Sequence, residues 1–384
     1  MRNRIYLDHA ATTAISPEVL EAMMPCLTES YGNASGVYAT GRETHRILDR
    51  ARKQAAEAIG ATPPEICFTS GGSESDSWAL IGTAAANRGK GNHIVTSAIE
   101  HHAILRTCEW LEKQGFEVTR LPADEEGRIR PADLEQAIRP GTILISIMAA
   151  NNEIGTIQQT AEFGKIAREH GIPFHTDAVQ AMGAMPVDVN AWQADLLSLS
   201  AHKFHGPKGT GLLYIRKGTR IDPLIHGGAQ ERGLRAGTEN VAGIAGMGKA
   251  MEIAAAGIPE RAARETALRE RLKAGLQAAV SGIRINGHPT DRLAGNLHVT
   301  IPGVDGEAML LRLDLAGIAA SSGSACTSGS TEPSHVLEAI GLTDEEIKSS
   351  LRLTIGEENT EAEIDETIRK ITEIAADLRS MRDF

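Results

Sequence analysis

The chain reads as an α/β protein, and three features carry that reading. Between about residues 65 and 250, short apolar runs alternate with longer helical patterns. Most of the apolar runs end in polar residues or glycine. Glycine is abundant, 39 of 384 residues, while aromatic side chains make up only 3%, which suits tight connections between closely packed elements.

Taken in order, the runs predict strands over residues 65–69, 92–97, 117–121, 142–148, 173–176, 195–199 and 210–215. In open α/β sheets the site lies beyond the carboxyl ends of the strands, so the polar ends are where chemistry is expected. A glycine-rich stretch, residues 227–237, then leads into an alanine-rich helix, and a break at Gly257, Ile258 and Pro259 precedes a new charged helix. A domain boundary is expected there, since 384 residues suggest two or three folding units at roughly 150 residues each. Beyond it Leu268, Leu272, Leu276 and Val280 recur at helical spacing. There follow a strand over residues 296–301, a helix, the loop SSGSACTSGS and a strand over residues 351–355. The closing helix carries Ile364, Ile368, Ile371, Ile374 and Leu378, a stripe of three- and four-residue steps that marks core packing.

Composition narrows the partners. Thirty-nine basic against 50 acidic side chains leave a net charge of −11, so no global field draws in nucleic acid or an anionic membrane. The longest apolar stretch, residues 142–150, is about half the roughly 20 residues a spanning helix needs. Cysteines stand far apart at 26, 67, 108 and 326, with no CxxC pair and no secretory leader, so a soluble protein of the reducing cytoplasm is expected.

Three strand ends could carry chemistry. Ser198 to Lys203 is followed by GPKGTG, which puts a lysine among small hydroxyl residues and glycines. Desolvated or set beside another cation, such an amine becomes nucleophilic and forms a Schiff base with an aldehyde; on spacing alone it is equally a loop lysine in water. Asp177 ends another run, where it either caps a helix or pairs with a cation such as a protonated ring nitrogen. The segment TSGGSES, residues 69–75, offers free backbone donors and hydroxyls at a helix start, a cup for phosphate or a capped turn. It lacks the spacing of a nucleotide phosphate loop. The pairs His101 with His102 and His202 with His205 have no carboxylate or cysteine at helical spacing, so no metal site is expected.

Together these segments, with YLDHAATT, ANNEIGT, HTDAVQA, SLSAHKFHGPKG, GGAQERGLRAGTEN, SSGSACTSGS and SSLRLTIG, resemble the cysteine desulfurases of the class-V aminotransferase family, in their nitrogen-fixation and housekeeping iron-sulfur branch. The matches run from residue 5 to residue 356. The resemblance implies a pyridoxal 5'-phosphate transferase of fold type I, with a mixed, mostly parallel seven-stranded sheet. Residues 16–257 would form the large cofactor-binding domain, and residues 1–15 with 258–384 a smaller α+β domain carrying the cysteine loop.

Residue by residue, the resemblance makes Lys203 the covalent anchor of the cofactor. Asp177 would pair with the ring nitrogen, Gln180 with the ring hydroxyl, and Gly72, Ser73, Ser200 and His202 with the phosphate. Thr238 would reach the phosphate of a second subunit, which requires a homodimer with composite sites. His101 would stack on the ring and move protons, a task a near-neutral pKa suits. Asn152 would contact both cofactor and substrate carboxylate. Arg352 offers a planar fork for that carboxylate, though on the residues alone a surface ion pair fits as well. Cys326 sits among serines, threonines and glycines with almost no apolar anchor, so its thiol is expected to travel, whereas Cys26, Cys67 and Cys108 lie in apolar patterns and read as buried. The implied reaction takes L-cysteine to L-alanine and leaves the sulfur as a persulfide on Cys326 for an acceptor or an iron-sulfur scaffold protein.

The rivals are an aminotransferase or lyase of the same fold, and a carrier that binds iron through scattered thiols without catalysis. The sequence departs from the family pattern at Ala34, where proline is usual, at Tyr38, where histidine is frequent, and at Ala201, where glycine is usual; the phosphate segment reads SGGSES. The chain also stops at Phe384, short of the tail by which many relatives engage a scaffold, so docking there is expected to differ.

Overall fold

The computed structural model describes residues 4–322 and 333–382. Its strands are β1 (Ile5–Tyr6), β2 (Ile66–Thr69), β3 (His93–Ser97), β4 (Glu117–Leu121), β5 (Thr142–Ser146), β6 (Phe174–Asp177), β7 (Leu196–Ser200), β8 (Gly211–Ile215), β9 (Arg284–Asn286), β10 (Asn296–Thr300), β11 (Ile318–Ala319) and β12 (Ser350–Thr354). Its helices are α1 (Pro17–Thr28), α2 (Ala39–Ala58), α3 (Gly72–Asn87), α4 (His102–Lys113), α5 (Pro131–Ala137), α6 (Thr160–Glu169), α7 (Val241–Ala256), α8 (Ile258–Ala279), α9 (Gly306–Leu315), α10 (His335–Ala339), α11 (Asp344–Lys348) and α12 (Glu361–Arg382).

The strands expected between residues 65 and 215 form one seven-stranded sheet in the order β2-β8-β7-β6-β5-β3-β4. Only β8 runs against its neighbours; the rest are parallel. Both faces are apolar because successive side chains point to opposite sides. Phe68, Val95, Ile145, Phe174, Leu197 and Leu212 enter one core with α2, α6 and α7, while Cys67, Ile94, Leu144, Leu196 and Leu213 enter another with α3 and α4. One expectation was too long: β5 ends at Ser146 and not at Met148. The Met148 N–H leaves the ladder to donate to the Glu100 carboxylate at 3.0 Å.

A second sheet, β12-β10-β9, is antiparallel and carries its own apolar cluster. Leu268, Leu272, Leu276 and Val280 of the α8 segment meet Ile364, Ile371 and Ile374 of α12 across it, so both stripes are core as expected. Their approach is close: a Cβ on Gly275 would lie 2.4 Å from Ile368 Cδ1. The chain start is stitched to this sheet, with β1 parallel to β11 and Thr354 N–H donating to Leu7 O at 2.8 Å. Among the described residues no single helix is long and apolar enough to cross a membrane.

Candidate active site

The chain passes from β3 to the edge strand β4 and then back to β5, on the other side of β3. That reversal opens a crevice at the strand ends, and His101 and Asn152 come off its two walls. The next strands, β6 and β7, deliver Asp177 and Ser200 at their carboxyl ends, and a short 3-10 turn, Ala201–Lys203, carries the lysine past the sheet.

Lys203 is held by the start of the chain. Its Nζ donates to Ala10 O at 2.5 Å and to Ala11 O at 2.9 Å. Gln180 Nε2 donates to the same Ala10 O at 3.0 Å, His202 Nδ1 lies 3.1 Å from Thr12 Oγ1, and Thr13 N–H donates to His202 O. Residues 10–13 thus bind three of the expected cofactor residues at once, which spacing along the sequence does not reveal.

Thr12, Gly72, Ser73, Ser200, His202 and Lys208 line a cavity of about 440 Å³ at the N-terminus of α3. The backbone N–H groups there have no helical partner, and the helix dipole favours an anion. Gly72 belongs to the cup wall, since a Cβ on it would meet Val179 Cγ2 at 3.0 Å. The one acid at the rim, Glu74, is engaged elsewhere: it takes both Nε and Nη2 of Arg235, at 2.8 and 3.1 Å, and the Ser70 N–H. Arg235 holds its carboxyl below the usual range although burial pushes the other way. This donor set fits a phosphate group.

Asp177 is buried, and burial lifts its pKa to about 6 against the opposing Val179 N–H bond and the nearby Lys203. It closes a turn onto Val179 N–H and caps no helix. Two residues earlier on the same face of β6, His175 lies between Ser146 Oγ at 2.8 Å and Ser198 Oγ at 3.0 Å, with Asp76 Oδ1 of α3 at 3.7 Å. Burial drops His175 to about 3, so it stays neutral. Asp76 is raised well above the carboxylate range by burial and by Asp177. With Asp76 thus favoured in its protonated form, an anionic Asp177 calls for a cation at the mouth of the crevice. A protonated pyridine nitrogen is such a cation, so the site fits pyridoxal phosphate at both ends.

His101 caps α4, its Nδ1 accepting the Ala103 N–H at 3.1 Å, which leaves the proton of the neutral ring on Nε2. Burial, then Lys203, His102 and His335, push its pKa down to about 4. The near-neutral value expected from sequence is therefore corrected: a buried ring beside an ammonium stays uncharged throughout the neutral range. His202 is neutral for the same reasons, lowered to about 4 by burial and then by Lys203 and Lys208.

Arg352 is no surface residue. Its side chain is 1% exposed, with Nη2 on Asp8 Oδ1 at 2.8 Å and Nη1 on the backbone O of Asn152 at 3.1 Å. The backbone of Asn152 is therefore beside Arg352, and next to it the buried Glu153 accepts from Ser334 Oγ at 2.5 Å. Burial raises Glu153 to about 7. Sequence reasoning passed over Glu153, Ser334 and Asp76, and did not connect Asp8 with Arg352. Thr238 is exposed and is not part of the phosphate cavity of its own chain. Cys326 lies outside the described residues. Cys26, Cys67 and Cys108 are buried, and burial pushes the thiols of Cys67 and Cys108 up to about 12.

A sequence profile described as class-V aminotransferase matches residues 5–367. A protein named cysteine desulfurase IscS from Methanosarcina thermophila is 56% identical over 98% of this chain and 93% of its own length. Among solved structures, one described as a NifS-like protein has a TM-score of 0.92 at 39% identity, covering 97% of this chain and 99% of that one. Another, described as SspA in complex with cysteine, has a TM-score of 0.82 at 38% identity over 92% of this chain and 99% of the other.

Proposed function

This chain belongs to the class-V aminotransferase family and is a pyridoxal-phosphate-dependent cysteine desulfurase, and we propose that it delivers the sulfur of L-cysteine through Cys326. The observation that carries the reading is the convergence on Lys203 of a phosphate cup, a buried aspartate and a neutral histidine.

Bound pyridoxal phosphate supplies an electron sink that makes the α-proton of the substrate acidic and weakens the bond from Cβ to sulfur. The chain's own residues do the rest. Lys203 Nζ would anchor the cofactor, and as a free amine would carry a proton to and from the substrate carbon. Asp177 holds the proton on the ring nitrogen, and Gln180 orients the ring from its hydroxyl side. His101, uncharged, would lie against the ring and could take a proton as a base. Arg352 and Asn152 fix the substrate carboxylate. The Cys326 thiolate attacks the substrate sulfur: the S–S bond forms as the Cβ–S bond breaks, and the electron pair left on carbon takes up a proton, so alanine departs. The persulfide then passes its outer sulfur to an acceptor thiol.

Exposed Leu20, Met24, Leu27, Tyr31, Val37 and Tyr38 support a homodimer, because such apolar side chains gain from burial against a second copy. Exposed Thr238 suits a composite site. The proposal extends to an iron-sulfur scaffold as acceptor and to a reducing cytoplasmic setting. Product analysis tests the reaction: L-cysteine should give alanine and sulfide in equal amounts under dithiothreitol. Glutamate formation from an amino donor would favour an aminotransferase of the same fold instead.

A further inference from the structure

Arg352 reaches its carboxylate before any substrate does. Nη2 holds Asp8 Oδ1 at 2.8 Å and Nη1 holds Asn152 O, while Nε, on the same edge of the guanidinium as Nη2, is buried without a partner. The other oxygen of Asp8, Oδ2, accepts from Ser321 Oγ at 3.0 Å. Ser321 is in turn paired through its backbone with Arg352, by N–H to O bonds of 3.2 and 2.6 Å in the two directions. Asp8 is the more exposed partner, at 16% against 1%.

A substrate carboxylate arriving at this fork would face a second anion on the same nitrogen. Two carboxylates on one guanidinium edge repel, and in a site shielded from water the repulsion is costly. Asp8 also has somewhere to go, since Ser321 and solvent already share its charge, whereas the buried Arg352 does not.

We infer that Asp8 is a stand-in for the substrate: the carboxylate of L-cysteine displaces it from Nη2 of Arg352 and takes Nε as its second donor. This rests on the desulfurase reading and sharpens it. The competition is felt only by ligands that carry a carboxylate: a thiol amine without one, such as cysteamine, has no group to set against Asp8, so its binding should not change when the charge of Asp8 is removed. Asp8 is then a positioning residue that sets the affinity of the fork through Arg352 and touches none of the reacting atoms.

The test is Asp8→Asn in the cofactor-loaded protein. The amide keeps a bond to Arg352 and one to Ser321 but carries no charge. KM for L-cysteine should fall roughly three- to tenfold with the change confined to KM, and the dissociation constant of the product L-alanine, read from the cofactor absorbance, should fall in parallel. Ser321→Ala, which removes the fallback partner of Asp8, should raise KM, and that rise should vanish in the Asp8→Asn background. Unchanged or weaker binding in Asp8→Asn with normal cofactor absorbance would overturn the inference, as would a Ser321→Ala effect that persists without the Asp8 charge. A wild-type protein that makes no alanine from L-cysteine would instead remove the desulfurase reading itself.

Discussion

Lys203 Nζ stands 2.5 Å from the carbonyl oxygen of Ala10, a residue 193 positions away. The lysine and the N-terminal arm are therefore one structural unit, although the motif that marks the lysine is local. Neighbouring Gln180 and His202 depend on the same arm.

One lysine should carry the cofactor. Borohydride reduction of the loaded protein followed by peptide mapping should place the adduct on Lys203, and Lys203→Ala should lose it. An adduct on Lys208, the lysine that lines the phosphate cavity, would displace the assignment.

Cys326→Ala should keep the cofactor absorbance of the parent, because Lys203, Asp177 and the phosphate cup are left unaltered. Sulfide release from L-cysteine under dithiothreitol should fall to background. Release at the parental rate would show that a different group accepts the sulfur.

Arg235 keeps a carboxylate from opposing the phosphate. Arg235→Ala should leave Glu74 charged at the rim of the cup and weaken pyridoxal phosphate binding by about tenfold, measured by equilibrium dialysis. Adding Glu74→Gln should restore most of it. If the double variant binds no better than the single one, the arginine serves the cup in another way.

Glu100 makes stability depend on pH in the direction opposite to most carboxylates. It accepts from Ser97 Oγ at 2.6 Å and Met148 N–H at 3.0 Å, yet burial raises its pKa to about 8. A folded-state value above the unfolded one means the folded form holds the proton. The stabilisation is full below about pH 4 and drains away as pH rises toward 8. Glu100→Gln keeps the acceptor oxygen without the titration. Its stability relative to the parent, from urea unfolding of the cofactor-free protein, should improve between pH 5 and pH 8 by a few kcal/mol, roughly. A difference that stays flat over that range would contradict the buried acid.

Much of this site was legible because its pieces lie at strand ends. The apolar runs placed β2, β5, β7 and β8 to within two residues, since strands buried on both faces are mostly apolar, whereas the edge strand β4 is polar and half-exposed. Asp177, Ser200 and Lys203 stand at or just past those ends, while their roles came from the resemblance. What escaped were contacts between segments distant in the chain: Asp8 with Arg352, Ala10 with Lys203, and Ser334 with Glu153. The charge state of His101 escaped for a related reason, because burial and the approach of Lys203 set it, and neither is written in the IEHHA motif.

The bond from Asp8 to Arg352 spans 344 positions, and β1 pairs with β11 only after most of the chain exists. A polypeptide emerging from the ribosome can assemble the seven-stranded sheet and its phosphate cup well before then. The carboxylate fork is added last, when the first residues made meet some of the final ones. Newly synthesised protein truncated ahead of β12 would thus keep the cup for the vitamin while lacking the means to grip an amino acid.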